Sequence, residues 1–510
     1  MTSYYVDMAS TYESTHGNNG TASGTPWGGA AGIMRAVAAV TAGDTITVAN
    51  AATPTSNEPI DRLATMVVNT TAGVNVADEL VGQAAGAHFR VAVIVTDSYL
   101  LGEITAGYGW SDDEEFLING GPGSINAVGI PVHPGIAISE DYAASGNTTS
   151  GAITLRGVAS DWTTPEHAYL DCDSACNGIT VGAVDGWHLR YLEIDAAELF
   201  GLKRTAVVES WCLECVRIVN AGDTGFEDMY GWWGTLCEAI EATGATQHGM
   251  FRTPDNGSMI RRGVFVGNGG DGLSGAGYEC AIVESIFAAN GGDGVYAYGG
   301  NGEVAFEHCI CDGNTGDGIS YAAAPYLASL NSCRLTNNGG YGVNAAGAPM
   351  IAAVDGNLYF NNTSGARNNI ATGDNDVDAA ADGYADDTNG DFALVSGAEG
   401  RRIAVTLGVP LGTEAGTTFY TSAGLTPTDS GGAGGVTLPV VADVRDGITY
   451  GEGGDEFTGT LTLPAVADVR DAVTYGGGGD EFAGTLTLPA VGDVRDAVTY
   501  GGGGDELTGT

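Results

Sequence analysis

Glu193 and Asp195 stand two residues apart in Tyr191-Leu-Glu-Ile-Asp195, and Asp171 and Asp173 repeat that spacing. In an extended strand, residues two apart share a face. Each pair would therefore hold two carboxyls side by side. Carboxyls about 5 Å apart or somewhat more, one of them kept protonated, cleave glycosidic bonds. His188, Arg190, Lys203 and Arg204 lie close by, and His248 lies further on. If the protein is an enzyme, Glu193, Asp195, Asp171 and Asp173 are its first catalytic candidates, and polysaccharide lyase or glycoside hydrolase is its reaction class. The same residues also read as the solvated face of a strand in a chain rich in acid.

Two further groups have binding chemistry. Trp211, with Trp232 and Trp233 in Tyr230-Gly-Trp-Trp233, could stack on sugar rings, as aromatic faces do, or pack in a core or between subunits. Asp374, Asp376 and Asp378 place carboxylates at alternate positions, as the start of a calcium loop does. An EF-hand needs Gly at its sixth and Glu at its twelfth position. Those positions hold Ala379 and Ala385, so Ca²⁺ is a candidate cofactor only through a different clip, and the alternative is a solvated acidic loop.

The charge balance limits partners. The chain has 63 acidic against 18 basic residues and a net charge of −45, and Lys203 is its single lysine. Nucleic acid needs clusters of Lys and Arg, and anionic membranes repel such a surface. Neither is an expected partner. No apolar run approaches the roughly 18 residues that cross a bilayer. The opening Met1–Asp7 lacks the basic and apolar regions of a secretory leader. Nine cysteines are an odd number, and neither Cys172/Cys176 nor Cys212/Cys215 has the second cysteine pair of a zinc site.

The elements that would position these residues show in a repeat. Asn precedes a Gly-rich turn at Asn220, Asn268, Asn290, Asn314, Asn338 and Asn362, with Gly244 at the skipped position. A unit of about 24 residues, repeated, is a solenoid signature. The turns read Asn-Gly-Gly-Asp-Gly at 268 and 290 and Asn-Thr-Gly-Asp-Gly at 314. Asn tolerates the left-handed conformation that a sharp corner requires, and stacked Asn side chains bond to each other. Phe265, Phe287, Cys311, Leu335 and Tyr359 lie three residues before the Asn, while Cys309 and Cys333 lie five before it, with Cys215 as an earlier match. These positions predict inward stacks with cysteine as core filler.

The pattern resembles the right-handed parallel β-helix of the pectate-lyase-like superfamily over roughly residues 1–410. Tyr4–Asp7, Pro26-Trp27, a short helix around Ile33–Val40 and Ala42-Gly-Asp-Thr-Ile-Thr-Val48 look like the usual opening of that fold, in which a helix caps the end of the solenoid. Gly151–Gly157 looks like an early coil, and Asn389–Leu394 like a closing one. The expected fold is therefore all-β: a right-handed parallel β-helix with an N-terminal cap helix and a C-terminal array. The expected parts are 1–54 (cap and first coil), 55–150 (elaborated coils or an insertion), 151–411 (regular coils), 412–435 (linker) and 436–510 (three 25-residue repeats). Leu438-Pro439, Leu463-Pro464 and Leu488-Pro489 mark the register of those repeats. A single such unit is too small for a core of its own and must stack on a neighbour; the alternative is a flexible spacer. The stretch after each Pro would be a helical turn or two, and Leu-Thr-Leu a short strand.

Lyases, hydrolases, epimerases, adhesins and viral spikes share this fold, so fold alone does not give activity. The repeats resemble units at the ends of phage fibre-like proteins and in environmental β-helix proteins. That resemblance implies a virion-associated fibre, spike or decoration protein that self-associates as a homotrimer. It would meet other virion proteins through 436–510 and bind a surface glycan. A carbohydrate-active enzyme is the alternative, and a cell-surface protein whose leader is missing from the sequence is a third reading, with an extracellular location.

Overall fold

The computed structural model describes residues 2–394 apart from short stretches, the longest being 11–16, 52–59, 129–134, 253–257, 298–302 and 346–351. Beyond residue 394 it describes only short strand segments. Contact patterns divide the chain into Met1–Gly432 and Ala433–Thr510.

The first unit is built on a parallel solenoid with three faces. The first face stacks His188 on Cys212, Leu236, Met259 and Ala281 in register. The second stacks Arg217 on Glu241, Val264, Ile286, Ile310, Arg334 and Leu358. The third is a ten-stranded parallel sheet from Ile136–Ile138 to Gly365–Asn368. Along Trp187–Asp195, Trp187, Leu189, Leu192 and Ile194 are buried while the residues between them are half-exposed. This alternation supplies the core.

Two rows of left-handed residues turn the corners. Tyr191, Cys215, Ala239, Arg262, Glu284, His308 and Ser332, with φ of 51 to 55°, separate the first face from the second. Ala196, Asn220, Gly244, Gly267, Ala289, Gly313, Asn337 and Asn361, with φ of 50 to 68°, end the second face. Two sequence expectations shift by one residue as a result. The left-handed position is the residue before Asn268, Asn290, Asn314 and Asn338, and Asn220 belongs to this corner row, beside Gly244. Cys215 is likewise a half-exposed corner residue, whereas Cys309 and Cys333 are buried.

The buried asparagines form the expected ladder. Asn290 Nδ2 donates to Asn314 Oδ1 at 2.9 Å and to Phe265 O at 3.1 Å, while Asn290 N–H donates to the same Asn314 Oδ1 at 3.1 Å. Asn268, Asn314 and Asn338 repeat the pattern. A Cβ at Gly294 would come within 2.6 Å of Gly318 O and 2.9 Å of Asn314 Nδ2, which explains the glycine ending each turn. Inside, Phe265 and Phe287 stack with centroids 5.2 Å apart.

Seven of the nine cysteines are buried, and none of the nine is joined in a disulfide. Burial raises the Cys311 and Cys333 thiols well above their ordinary range. Iodoacetamide should therefore label the native protein at Cys212 and Cys215 at most, and reductant should leave the melting temperature unchanged. Several disulfides in a non-reducing peptide map would overturn the core-filler assignment.

Between the adjacent strands Thr45–Ala49 and Ile153–Val158, paired as Ile46↔Leu155, the chain leaves the solenoid. Six antiparallel strands from Leu63–Val67 to Ser124–Asn126 form a separate sheet. The Val68↔Ala127 bridge and a hydrogen bond from Val128 N to Val67 O (2.7 Å) join its outer strands and close it into a small barrel. Phe89, Trp110 and Phe116 lie in its own core. Helix Gly29–Ala39 buries its apolar side in the solenoid core with Val6, Ile46 and Ile136.

In the second unit three hairpins recur at 25-residue spacing. Thr449-Tyr450 pairs with Phe457-Thr458, Thr474-Tyr475 with Phe482-Ala483, and Thr499-Tyr500 with Leu507-Thr508. The expected turns after each Pro and the Leu-Thr-Leu strand lie outside the described residues. Among the described residues no helix is long and apolar enough to cross a membrane.

Candidate functional site

The coil-to-coil register decides what surrounds each outward side chain. Glu193 and Asp195 do share an outward face, but each meets a partner from the next coil. Arg217 Nη1 donates to Glu193 Oε2 at 3.0 Å, and Arg217 Nε lies 2.9 Å from Glu241 Oε2. Asp195 accepts the Tyr169 hydroxyl at 2.7 Å and Asn220 Nδ2 at 3.3 Å. Burial and this bond raise the Tyr169 phenol. Asp171 stacks on Asp195 in register, and its Oδ1 accepts the Asp173 N–H at 2.9 Å. Asp173 itself is exposed in a left-handed turn with φ 45°. Carboxylates held this way act as ladder rungs.

The basic residues are engaged similarly. His188 Nε2 lies 3.2 Å and Arg190 Nη2 2.5 Å from the Glu214 carboxylate. Burial, then the Arg190 charge, lowers the His188 imidazole. Arg204 is fully buried. His248 Nδ1 lies 3.0 Å from the Asp271 backbone N and 3.5 Å from its Oδ2.

Trp211 departs from its expected role. It is 1% exposed, its ring stacks on Trp187 at 6.3 Å, and its Nε1 donates to Val184 O at 2.8 Å. It is a core residue and cannot offer a face to a sugar. Trp232–Trp233 is a short strand beside Val208–Glu209, and its side chains lie outside the described residues. Of the calcium candidates, Asp374 lies outside the described residues. Asp376 Oδ1 accepts Asn357 N and Nδ2 at 2.9 and 3.1 Å, and Arg367 lies 3.5 Å from Asp376 and 3.2 Å from Asp378. A guanidinium therefore bridges these two carboxylates. Among the described residues no three His, Cys, Asp or Glu side chains converge as a metal site.

A second acidic set, missed in the sequence, lies in the turns that lead into the third face. Asp293 N–H donates to Asp271 Oδ1 at 2.9 Å, Asp317 N–H to Asp293 Oδ1 at 2.6 Å, and Tyr341 N–H to Asp317 Oδ1 at 2.5 Å. Burial, then the Asp317 and Asp271 charges, pushes the Asp293 carboxyl up to about 6. The recurrence of Asp three residues after Asn268, Asn290 and Asn314 was the signal for it. Beside this column run Lys203, Glu227, Phe251, Ser274, Tyr296, Ser320 and Asn344, one per coil and facing outward.

Residues 213–380 match the family model for the right handed beta helix region. Pectate lyase Pel9A superposes with a TM-score of 0.50 at 15% identity, covering 78% of this chain and 90% of that one. The body is a right-handed parallel β-helix. This β-helix also aligns with the Azotobacter vinelandii mannuronan C-5 epimerase AlgE4 A-module (13% identity, 48% and 88% coverage, TM-score 0.24). A third alignment is with ORF18 of Geobacillus virus E2 (13% identity, 45% and 54% coverage, TM-score 0.30). No curated protein sequence matches the chain. At such identities the likeness is one of fold, and the activity of the β-helix must be argued from its side chains.

Proposed function

We propose that the chain is a structural, adhesive protein associated with a virion, as a fibre, spike or decoration, standing on a β-helix shaft. The observation that supports it most is the use made of the outward carboxylates. Glu193, Glu214, Glu238, Glu241 and Glu284 are each paired with an arginine, and Asp195 bonds to a tyrosine and an asparagine. These contacts stiffen the stack and leave Glu193 and Asp195 unsuited to proton transfer. A homotrimer, with residues 436–510 meeting other virion proteins, completes the reading. The hairpins support it, since two-residue strands are too short to stand alone and need a partner surface.

A polysaccharide lyase or hydrolase is the second reading. It is favoured by one feature, the adjacent Asp293 and Asp317, of which Asp293 is held near neutrality. Incubation of the full chain with a panel of uronate and neutral polysaccharides decides between the two. The structural reading expects no new reducing or unsaturated ends. Turnover that disappears in Asp293→Asn would replace that reading with the enzymatic one.

Deleting 436–510 should leave circular dichroism of the β-helix intact and abolish co-sedimentation with the native particle. A truncated protein that keeps its oligomeric state and still incorporates would reduce the repeats to a spacer.

A further inference from the structure

The faces of the shaft are not equally open to water. On the first face, Met259–Arg261 runs exposed, buried, exposed, as a strand with one wet side does. On the second face all three positions are buried in Val264–Val266, Ile286–Ala288, Ile310–Asp312 and Arg334–Thr336. The middle residue of each, Phe265, Phe287, Cys311 or Leu335, fills the interior. The outward row is mostly apolar: Val264, Val266, Ile286, Ala288 and Ile310 are 1 to 6% exposed. None of these five belongs to the interior core. An outward row this apolar and this dry needs a cover of matching chemistry.

The path of the chain shows where that cover comes from. Arg334 pairs with Leu358, and Leu358 with Val377. A few residues after Val377, Asp382 is back two coils. Its carbonyl accepts Arg334 Nη2, and its Oδ2 accepts Asn337 Nδ2 at 3.2 Å. The Tyr384 hydroxyl lies 3.4 Å from Thr336 Oγ1, and the Arg334 guanidinium sits 5.0 Å from the centre of its ring. The chain has thus turned back on the outside of the second face. Strand Tyr384–Asp386 pairs with Asp391–Leu394, and Val405–Thr406 and Thr417–Thr421 both lie against Asp391–Leu394.

The sequence that follows matches the row. Ile403, Val405, Leu407, Val409 and Leu411 stand at alternate positions, so one side of an extended strand there is wholly apolar. From Ile403 to Thr421 the only charged residue is Glu414, in a chain that carries −45. Thr336 and Val266 are three coils apart, about 14 Å, which nine extended residues span twice over at about 3.3 Å each.

We infer that the outward row of the second face is the docking surface for the chain's own residues 403–421, laid back along the shaft over Ile310, Ile286 and Val264. Apolar burial drives the docking, and the contacts of Asp382 and Tyr384 with Arg334, Thr336 and Asn337 fix its starting point. The docked segment withdraws this face from glycans and from other copies, so a surface that joins shafts lies on the first or third face. The docking stands whichever activity the shaft has.

Photo-crosslinking of the full chain tests it. p-Benzoylphenylalanine replaces Phe419 in one variant and Tyr420 in another, two neighbours that face opposite ways in a strand. Irradiation should link at least one of them, in a product of monomer mass, to a peptide from 264–312. A product of dimer or trimer mass would place the segment on a second copy and overturn docking within one chain. No link from either position to the second face would overturn the docking altogether. In a separate variant, Leu407→Asp with Val409→Asp, the fluorescence of an anilinonaphthalene sulfonate dye should rise severalfold while circular dichroism of the β-helix is kept, since the interior core is untouched. Unchanged dye fluorescence would show that the row stays dry without the segment, and would equally overturn the docking.

Discussion

Replacing Asn314 with Ala should lower the unfolding free energy by about 2–4 kcal/mol, one of the larger effects a single side chain can have. Asn314 is 1% exposed and sits mid-ladder. Its Oδ1 accepts both Asn290 N–H and Asn290 Nδ2, and its Nδ2 donates to Phe287 O and Asn338 Oδ1. Alanine removes four hydrogen bonds and strands their partners in a dry corner. Gly313, the left-handed residue beside it, is untouched, so backbone strain does not enter. Urea unfolding followed by circular dichroism measures the loss. Asn337→Ala, at the half-exposed corner, adds a left-handed penalty of about 1 kcal/mol to the loss of its own bonds with Asp312, Asp382 and Asn361. Equal midpoints for the parent and Asn314→Ala would mean that the ladder contributes nothing to stability.

Asp293→Asn should stabilise the protein at neutral pH. The folded carboxyl titrates at about 6, above its unfolded value. Its favourable contribution is therefore complete below about 3.9 and is lost as pH rises through 6. At pH 7.5 the ionised group sits between Asp271 and Asp317 and opposes folding. Asparagine keeps the Oδ1 that accepts the Asp317 N–H and loses the charge. A gain of about 1 kcal/mol is expected at pH 7.5, after discounting for the group's partial exposure, with little difference at pH 4. Chemical denaturation at the two pH values checks it. A variant no more stable than the parent at pH 7.5 would show that the aspartate column carries no electrostatic strain.

The repeat was legible because its corner demands particular residues. Four residues after Asn268, Asn290 and Asn314 stand Gly272, Gly294 and Gly318, where an added Cβ would run into the next coil's backbone and its ladder asparagine, and the inward Phe265 and Phe287 keep a fixed distance from the asparagines. The one-residue slip at Asn220 also has a physical cause. Two adjacent positions both favour asparagine, one for its left-handed tolerance and one for its amide, as Asn337-Asn338 and Asn361-Asn362 show side by side. The pairing of Glu193 with Arg217 could not be seen locally, since the partner arrives one coil later. The closure of the barrel rests on backbone bonds near Val68 and Ala127 that carry no side-chain signature. In the terminal repeats, Thr-Tyr and Phe-Thr flanking a glycine run were a readable hairpin signal, obscured by the more conspicuous Leu-Pro.

The barrel's position has a kinetic consequence. Coils from Trp187 onward meet neighbours only 22 to 24 residues away, so each can add to the last with a short loop to close. The strand Thr45–Ala49 pairs with Ser3–Asp7 on one side but must wait on the other for Ile153–Val158, with the whole barrel between them. A ribosome delivers this opening pair earliest, yet its junction with the later coils is made only after the barrel has been synthesised. That junction should therefore be sealed late, and hydrogen-exchange pulse labelling during refolding should find Ile46 and Val48 protected after Leu213 and Ile282.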